Sequence, residues 1–327
     1  MKKRIAIVAG GDSSEVVVSL KSAEGIYSFL DKERYEVYIA IIKRDGWHVN
    51  LPGGEKAAID KNGFGFKEGG VTKHFDFAYI TIHGTPGEDG LLQGYFELIG
   101  MPYSSCNALV SALTFNKFFC NNCLRNFGIN VAASVRIRKG DCVDEAGLVA
   151  RLGLPLFVKP NDGGSSFGVT KVKEAFQLLP SIEKAFAESG EAIIEQAIEG
   201  MEVTSGCYKV EGKEVIFPIT EVVSQNEIFD FDAKYNGQSE EITPARIPET
   251  LADRVKQTTS LIYDLLGAKG LIRIDYIITS VGEPVVLDVN TTPGMTGTSF
   301  IPQQVQAAGL TMKDVLTDII ENELKKL

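Results

Sequence analysis

Positive charge is the first thing this sequence is short of. Its 327 residues include 33 Lys and Arg against 43 Asp and Glu, a formal net charge of −10. A phosphate backbone demands basic faces, so a nucleic-acid partner is disfavoured. An anionic small molecule is not excluded, because local cations decide its binding. Long apolar runs are missing too: no stretch approaches the roughly 18 apolar residues of a membrane span. The opening segment Lys2-Lys3-Arg4-Ile5-Ala6-Ile7-Val8-Ala9 is too short for a signal peptide and is broken by Gly10-Gly11-Asp12. The chain therefore reads as cytoplasmic, with no membrane partner. The five cysteines are an odd number, and Cys120 and Cys123 form a lone C-x-x-C. No second C-x-x-C or histidine pair completes a zinc site, which leaves small buried or half-buried thiols. Histidine is scarce, at three residues. There is no internal repeat, no low-complexity tract and no G-x-x-x-x-G-K-S/T phosphate loop. Gly10-Gly11 also lacks the G-x-G-x-x-G order, which argues against a dinucleotide-dependent oxidoreductase.

What is present is ordinary for a soluble globular protein: 44% hydrophobic and 23% charged residues. At roughly 150 residues per domain the length allows two domains or three small ones. Residues 4–9 read as a short buried strand, 10–14 as a loop and 15–30 as an amphipathic helix. Strands follow at 35–42 and 75–82. Strand, loop, helix, strand predicts an α/β domain with a parallel sheet, whose ligands sit at the carboxyl ends of the strands. Glu15 and His83 both fall just after strands. Further helices are expected at 90–99, at 108–127 as one or two, and at 175–188, 251–266 and 312–326. Residues 157–159 and 169–172 form a hairpin-like unit around a glycine loop, and 192–196 a short strand. Segments 201–209 and 214–223 alternate like antiparallel strands, and 270–279 and 284–289 are strands. Segment 226–244 is polar and irregular, a loop long enough to suggest a function.

The chemistry concentrates in a few places. Lys159-Pro160-Asn161-Asp162-Gly163-Gly164-Ser165-Ser166 joins a lysine to a loop whose glycines admit phosphate and whose N–H and hydroxyl groups can bind it. Arg273-Ile274-Asp275 and Asp288-Val289-Asn290 lie on consecutive apolar runs. With strand period two, two carboxylates and an amide share one face. Hard oxygen ligands of that kind hold Mg²⁺ against nucleotide phosphates. A buried carboxylate needs a partner or a metal, and Arg273 is one candidate partner. Together these two sets imply that the chain handles ATP. Glu195 and Glu202 are acceptors within reach of a nucleotide, or plain surface glutamates. Lys234 and Tyr235 lie in the aromatic stretch Phe229-Asp230-Phe231-Asp232-Ala233-Lys234-Tyr235, which suits a lid that excludes water. Glu15 stands at a helix start, where capping competes with ligand binding.

In this order the motifs resemble the D-alanine–D-alanine ligases of the ATP-grasp superfamily, over essentially the whole chain. The matches are Ala9-Gly10-Gly11 with Glu15 and Val18-Ser19-Leu20, then His83-Gly84 through Gly87-Glu88-Asp89-Gly90 with Gln93-Gly94, and Pro102-Tyr103. Lys159-Pro160 with Gly164-Ser165-Ser166, Ala233-Lys234-Tyr235, Arg273-Ile274-Asp275, and Asn290-Thr291 with Pro293-Gly294-Met295-Thr296 complete the series. The resemblance implies an α/β ATP-grasp fold: a Rossmann-like parallel-sheet domain over 1–105, a central subdomain over 106–196 and a C-terminal subdomain over 197–327.

It further implies that ATP phosphorylates one D-alanine and that the amine of a second displaces the phosphate, a step in peptidoglycan precursor synthesis. On this reading Lys117, Lys159 and Ser166 bind ATP, Glu195 and the Ile198 backbone take adenine, and Glu202 takes ribose. Lys234 contacts the transferred phosphoryl group. Asp275, Asp288 and Asn290 hold two Mg²⁺ or Mn²⁺ ions. Glu15, in a network with Ser165 and Tyr235, binds the first amino group, and His83 lies at the substrate. Arg273 and the Gly294 N–H form the oxyanion site, while Ser299 and the Phe300 N–H take the second carboxylate. The family habit implies a homodimer. Two residues depart from the family pattern: Asp288 stands where glutamate is usual, and Gly163 where glutamate is common. A ligase for a different pair, such as D-alanine with D-lactate, is the alternative. Lys234-Tyr235 argues against it.

Overall fold

The computed structural model describes residues 2–164, 167–224 and 239–326. Ser165, Ser166, Lys234 and Tyr235 lie outside the described residues. The first sheet is built on β1 (Lys3–Gly10), in which Ile5, Ala6, Ile7, Val8 and Ala9 are all fully buried. An apolar run covered on both faces is what a central parallel strand requires. β1 pairs in parallel with β2 (Tyr35–Lys43) on one side. A third parallel strand, Phe77–Ile80, lies on the other. Between them in sequence, β3 (Gly46–Asn50), β4 (Lys56–Asp60), β5 (Gly65–Glu68) and β6 (Val71–His74) extend the sheet from β2. With the Phe77–Ile80 strand as β7, the order is β6-β5-β4-β3-β2-β1-β7. The parallel sheet expected from the sequence is thus three strands wide, and its remainder is an antiparallel meander. The β5–β6 turn is made by Gly69 (φ 58°) and Gly70 (φ 79°), a two-residue connection of the kind that suits strand twist.

Helix α1 (Val16–Phe29) packs on this sheet. After β7 come α2 (Leu91–Leu98), α3 (Ala108–Phe115) and α4 (Lys117–Asn126). The sequence left 108–127 open as one helix or two. Asn116 decides it: extended backbone ends α3 there, and its side chain accepts from Phe119 N–H to cap α4.

A second, wholly antiparallel sheet follows. It contains β8 (Ser134–Arg138), β9 (Leu156–Pro160), β10 (Thr170–Val172) and β11 (Glu191–Gln196), in the order β10-β9-β11-β8. Helices α5 (Glu145–Leu152) and α6 (Leu178–Ala185) cover one face and enclose a separate core of Ile137, Leu148, Val158, Ile182 and Ile194.

The third sheet is also antiparallel: β12 (Met201–Val210), β13 (Lys213–Ile216), β14 (Thr220–Ser224), β15 (Ser239–Ile242), β16 (Leu271–Ile278) and β17 (Pro284–Asn290). The order is β15-β14-β12-β16-β17, with β13 on β12. Segment 214–223, expected as one strand, is split into β13 and β14. The end of the irregular segment 226–244 is the strand β15. Helix α7 (Glu249–Leu266) covers this sheet, and α8 (Phe300–Ala307) and α9 (Met312–Leu324) close the chain. Ile301, Val305, Leu316 and Ile320 share one apolar cluster with Ile5, Ile7, Ala23 and Ile26, so the C-terminal helices pack against the N-terminal sheet. Among the described residues no helix is long and apolar enough to cross a membrane.

Candidate active site

Residues from all three sheets line one cleft of about 1030 Å³. Every site residue expected from the sequence that falls among the described residues lines it: Glu15, His83, Lys117, Lys159, Glu195, Ile198, Glu202, Arg273, Asp275, Asp288, Asn290, Gly294, Ser299 and Phe300.

The first wall is the carboxyl edge of the parallel sheet. β1 ends at Gly10, whose φ of 112° and close approach to Ile42 O, 2.5 Å from an added Cβ, admit only glycine. Ser13 Oγ donates to His83 O at 3.0 Å and accepts from Glu15 N–H at 3.2 Å. Glu15 is buried, and its side chain makes no capping bond to α1. The capping alternative therefore does not account for it. A Cβ on Gly164 would lie 2.8 Å from Glu15 Oε1, so the glycine loop after β9 closes directly over this carboxylate. His83 is buried, with Nε2 3.4 Å from Ser22 Oγ. Burial pulls its pKa down, opposed by Glu15 and helped by Arg273. Ser22 also accepts from Met295 N–H at 3.2 Å, and a Cβ on Gly25 would meet Met295 O at 2.2 Å. Helix α1 thus fixes the backbone beside Gly294.

Glu88 belongs to the motif over 83–90, where the sequence alone marks no role for it. It lines the cleft and accepts from Gly84 N–H at 2.7 Å. Burial, reinforced by the Glu15 charge, pushes its pKa up to about 8.

The second wall comes from α4 and the second sheet. Lys117 Nζ donates to Gly163 O at 2.9 Å and lies 3.6 Å from Asp288 Oδ1. Burial works against its charge, but Asp288, Glu88, Glu195 and Glu15 outweigh that and raise its pKa. A glycine at 163 still serves the loop, because the contact to Lys117 uses only its carbonyl. Lys159 pairs with Glu195 at 2.7 Å across β9 and β11, and Asn121 Nδ2 donates to the other Glu195 oxygen at 2.8 Å.

The third wall is the face of β12, β16 and β17. Asp275 stands directly opposite Asp288, and Arg273 opposite Asn290, with a bulge beside Asp275. Arg273 Nε and Nη2 each reach Asp275 at 2.8 Å, a two-bond pairing that also orients the guanidinium. Thr204 Oγ1 donates to Asp275 Oδ1 at 2.6 Å, and Asn290 Nδ2 to Oδ2 at 3.2 Å. Among the described residues no group of three or more His, Cys, Asp or Glu is placed to hold a metal. The donors at this point are two carboxylates and one amide. That all-oxygen set fits Mg²⁺, which keeps waters and borrows phosphate oxygens to complete its shell. The shorter Asp288 still reaches the shared face, since strand register sets it beside Asp275. Cys120 is buried, Cys123 half-buried, and both are free.

Two family models match the chain: the D-ala D-ala ligase N-terminus over residues 4–106 and the D-ala D-ala ligase C-terminus over 123–321. The chain belongs to the D-alanine–D-alanine ligase family. A D-alanine–D-alanine ligase of Parabacteroides distasonis is 70% identical over 325 residues, 99% of this chain and 98% of that protein. Another, from Phocaeicola vulgatus, is 65% identical over 99% of this chain and its own full length. Among solved structures, the VanG D-Ala:D-Ser ligase of Enterococcus faecalis superposes with a TM-score of 0.88 at 31% identity, covering 99% and 100% of the two chains. The Bacillus anthracis D-alanine–D-alanine ligase complexed with ATP gives 0.78 at 30% identity, covering 99% and 98%. The fold shared with these ligases is the ATP-grasp fold expected from the sequence.

Proposed function

We infer that this chain joins two D-alanines into D-alanyl-D-alanine, a peptidoglycan precursor, with ATP as the phosphoryl donor. One observation carries the reading. Glu15, the glycine loop at Gly163 and Gly164, Lys117 and Asp288 follow one another inside one cleft, and this series joins the residues we assign to the amino group with those we assign to the phosphates.

A carboxylate resists nucleophilic attack because oxide is a poor leaving group. Glu15 holds the first D-alanine by its ammonium and turns its carboxylate towards the phosphates. Lys117 and Lys159 hold the triphosphate, with Glu195 and the Ile198 backbone on adenine and Glu202 on ribose. Asp275, Asp288 and Asn290 would hold Mg²⁺ or Mn²⁺, two ions in the family pattern, which when bound neutralise the β- and γ-phosphates. A carboxylate oxygen of the first D-alanine attacks the γ-phosphorus, and ADP leaves. The second D-alanine, its carboxylate on Ser299 and the Phe300 N–H, attacks the acyl carbon with its nitrogen. Its ammonium sheds two protons across the step, and inorganic phosphate leaves with the former carboxylate oxygen. Arg273 and the Gly294 N–H stabilise the oxyanion that forms between these events, a kind of donor worth about 3 kcal/mol when removed. Water must be kept from the acyl phosphate; Lys234 and Tyr235 retain the lid and phosphoryl roles expected from the sequence, and Ser165 and Ser166 their places in the loop.

We read the three sheets as the three expected domains, and the homodimer and cytoplasmic location as properties shared with the family. ADP release from ATP, measured with D-alanine and with L-alanine, tests the function. Release with D-alanine alone is expected; release that ignores D-alanine would defeat it.

A further inference from the structure

The second amino acid brings an ammonium group that has to be recognised before it can attack. The groups assigned to that end of the cleft, Arg273, the Gly294 and Phe300 N–H groups and Ser299, are cations or donors aimed at oxygens. A receptor for a cation is still needed. Among the described residues, a side chain that fits lies on β15. Glu241 lines the cleft and is partly buried. Its Oε2 accepts from Gln303 Nε2 at 2.6 Å, and Gln303 also donates to Thr298 O at 2.8 Å. Thr298 directly precedes Ser299, and both line the cleft. The carboxyl is therefore tethered to the same helical turn that is assigned to the second substrate's carboxylate.

Burial raises the Glu241 pKa, opposed by the Gln303 hydrogen bond and by the positive field of Arg273. A carboxylate that burial penalises gains most from a partner that carries positive charge. Two other cleft glutamates are placed for different work. Glu15 sits on the opposite wall. Glu202 lies two strands away, in register through Val222 on the same sheet, at the position assigned to ribose. We propose that Glu241, tethered by Gln303, is a specificity-determining residue that receives the ammonium group of the second amino acid. It favours an amine nucleophile over a hydroxy acid of the same shape, because a hydroxyl brings no charge to the carboxylate. The inference rests on the ligase reading above.

Glu241→Gln tests it with little change of shape, because the amide oxygen can still accept from Gln303. ADP release is followed over a D-alanine range wide enough to separate the constants of the two D-alanines. The KM of the second D-alanine should rise about tenfold or more, the cost of losing one charge-assisted hydrogen bond. The KM of ATP, that of the first D-alanine and the thermal midpoint should not move. An unchanged second constant, or equal changes in both D-alanine constants, overturns the proposal. If the unsubstituted protein releases no ADP with D-alanine, the ligase reading falls and this inference with it; a normal parent beside an unmoved variant defeats this inference alone.

Discussion

Replacing Lys159 by methionine separates what this lysine does for the fold from what it does for ATP. Its ammonium lies 2.7 Å from Glu195, and the two side chains are only 17% and 6% exposed. Removing one member of a buried pair leaves an uncompensated charge and costs about 3–5 kcal/mol. Here Asn121 keeps one hydrogen bond to Glu195, and the lysine side retains some contact with water, so the lower end applies, about 3 kcal/mol. At about 2 °C per kcal/mol for a chain of this size, the thermal midpoint should fall by roughly 6 °C. The double variant Lys159→Met/Glu195→Gln removes both charges while keeping the Asn121 contact, and most of the stability should return. ATP affinity should not return, because the ammonium of residue 159 then no longer faces the phosphates and Lys117 stands there without it. Thermal melts give the first quantity and equilibrium ATP titration the second. A single variant as stable as the double would refute the buried-pair argument. A double variant with restored ATP binding would refute the phosphate role.

Arg273→Ala should lower kcat by about a hundredfold or more while the protein still folds, as loss of an oxyanion donor requires. Lys234→Ala, at a position outside the described residues, carries the same expectation, and a near-normal rate in either removes the assigned role. Glu88 supplies a pH test in ligand-free protein. Its folded pKa, about 8, lies above the ordinary carboxylate value. The folded state thus binds this proton more tightly than the unfolded chain does. The resulting stability is fully present below the ordinary value and is lost as pH rises through about 8. Glu88→Gln should abolish that part of the loss, so that denaturant midpoints of variant and parent diverge between pH 5 and 9; parallel curves would reject the enclosed-carboxyl account.

Much of this was readable from the sequence because its chemistry is local. The run Ile5–Ala9 is apolar at every position, so it reads as a fully buried strand, and it is one. Asp275, Asp288 and Asn290 share a face because strand period dictates it. What stayed hidden depends on contacts between distant segments. The meander from β3 to β6 carries mixed, half-exposed residues whose partners lie along the sheet edge, so no single period marks it. Asn116 looks like any helical polar residue until two backbones meet at it. Glu88 stands inside the motif over 83–90, yet only enclosure beside Glu15 distinguishes it from its neighbour Asp89. Glu241 had no signal at all, since its meaning comes from Gln303, 62 residues further on. Glu195 read as a surface glutamate or a nucleotide acceptor; the structure shows it buried against Lys159 and Asn121.

The central claim is that the carboxylate of the first D-alanine is phosphorylated in this cleft. D-alanine labelled with ¹⁸O in its carboxylate, turned over with unlabelled ATP, tests it by mass analysis of the released phosphate. The account predicts one ¹⁸O atom carried from D-alanine into inorganic phosphate for each dipeptide formed. Unlabelled phosphate accompanying dipeptide formation would contradict it.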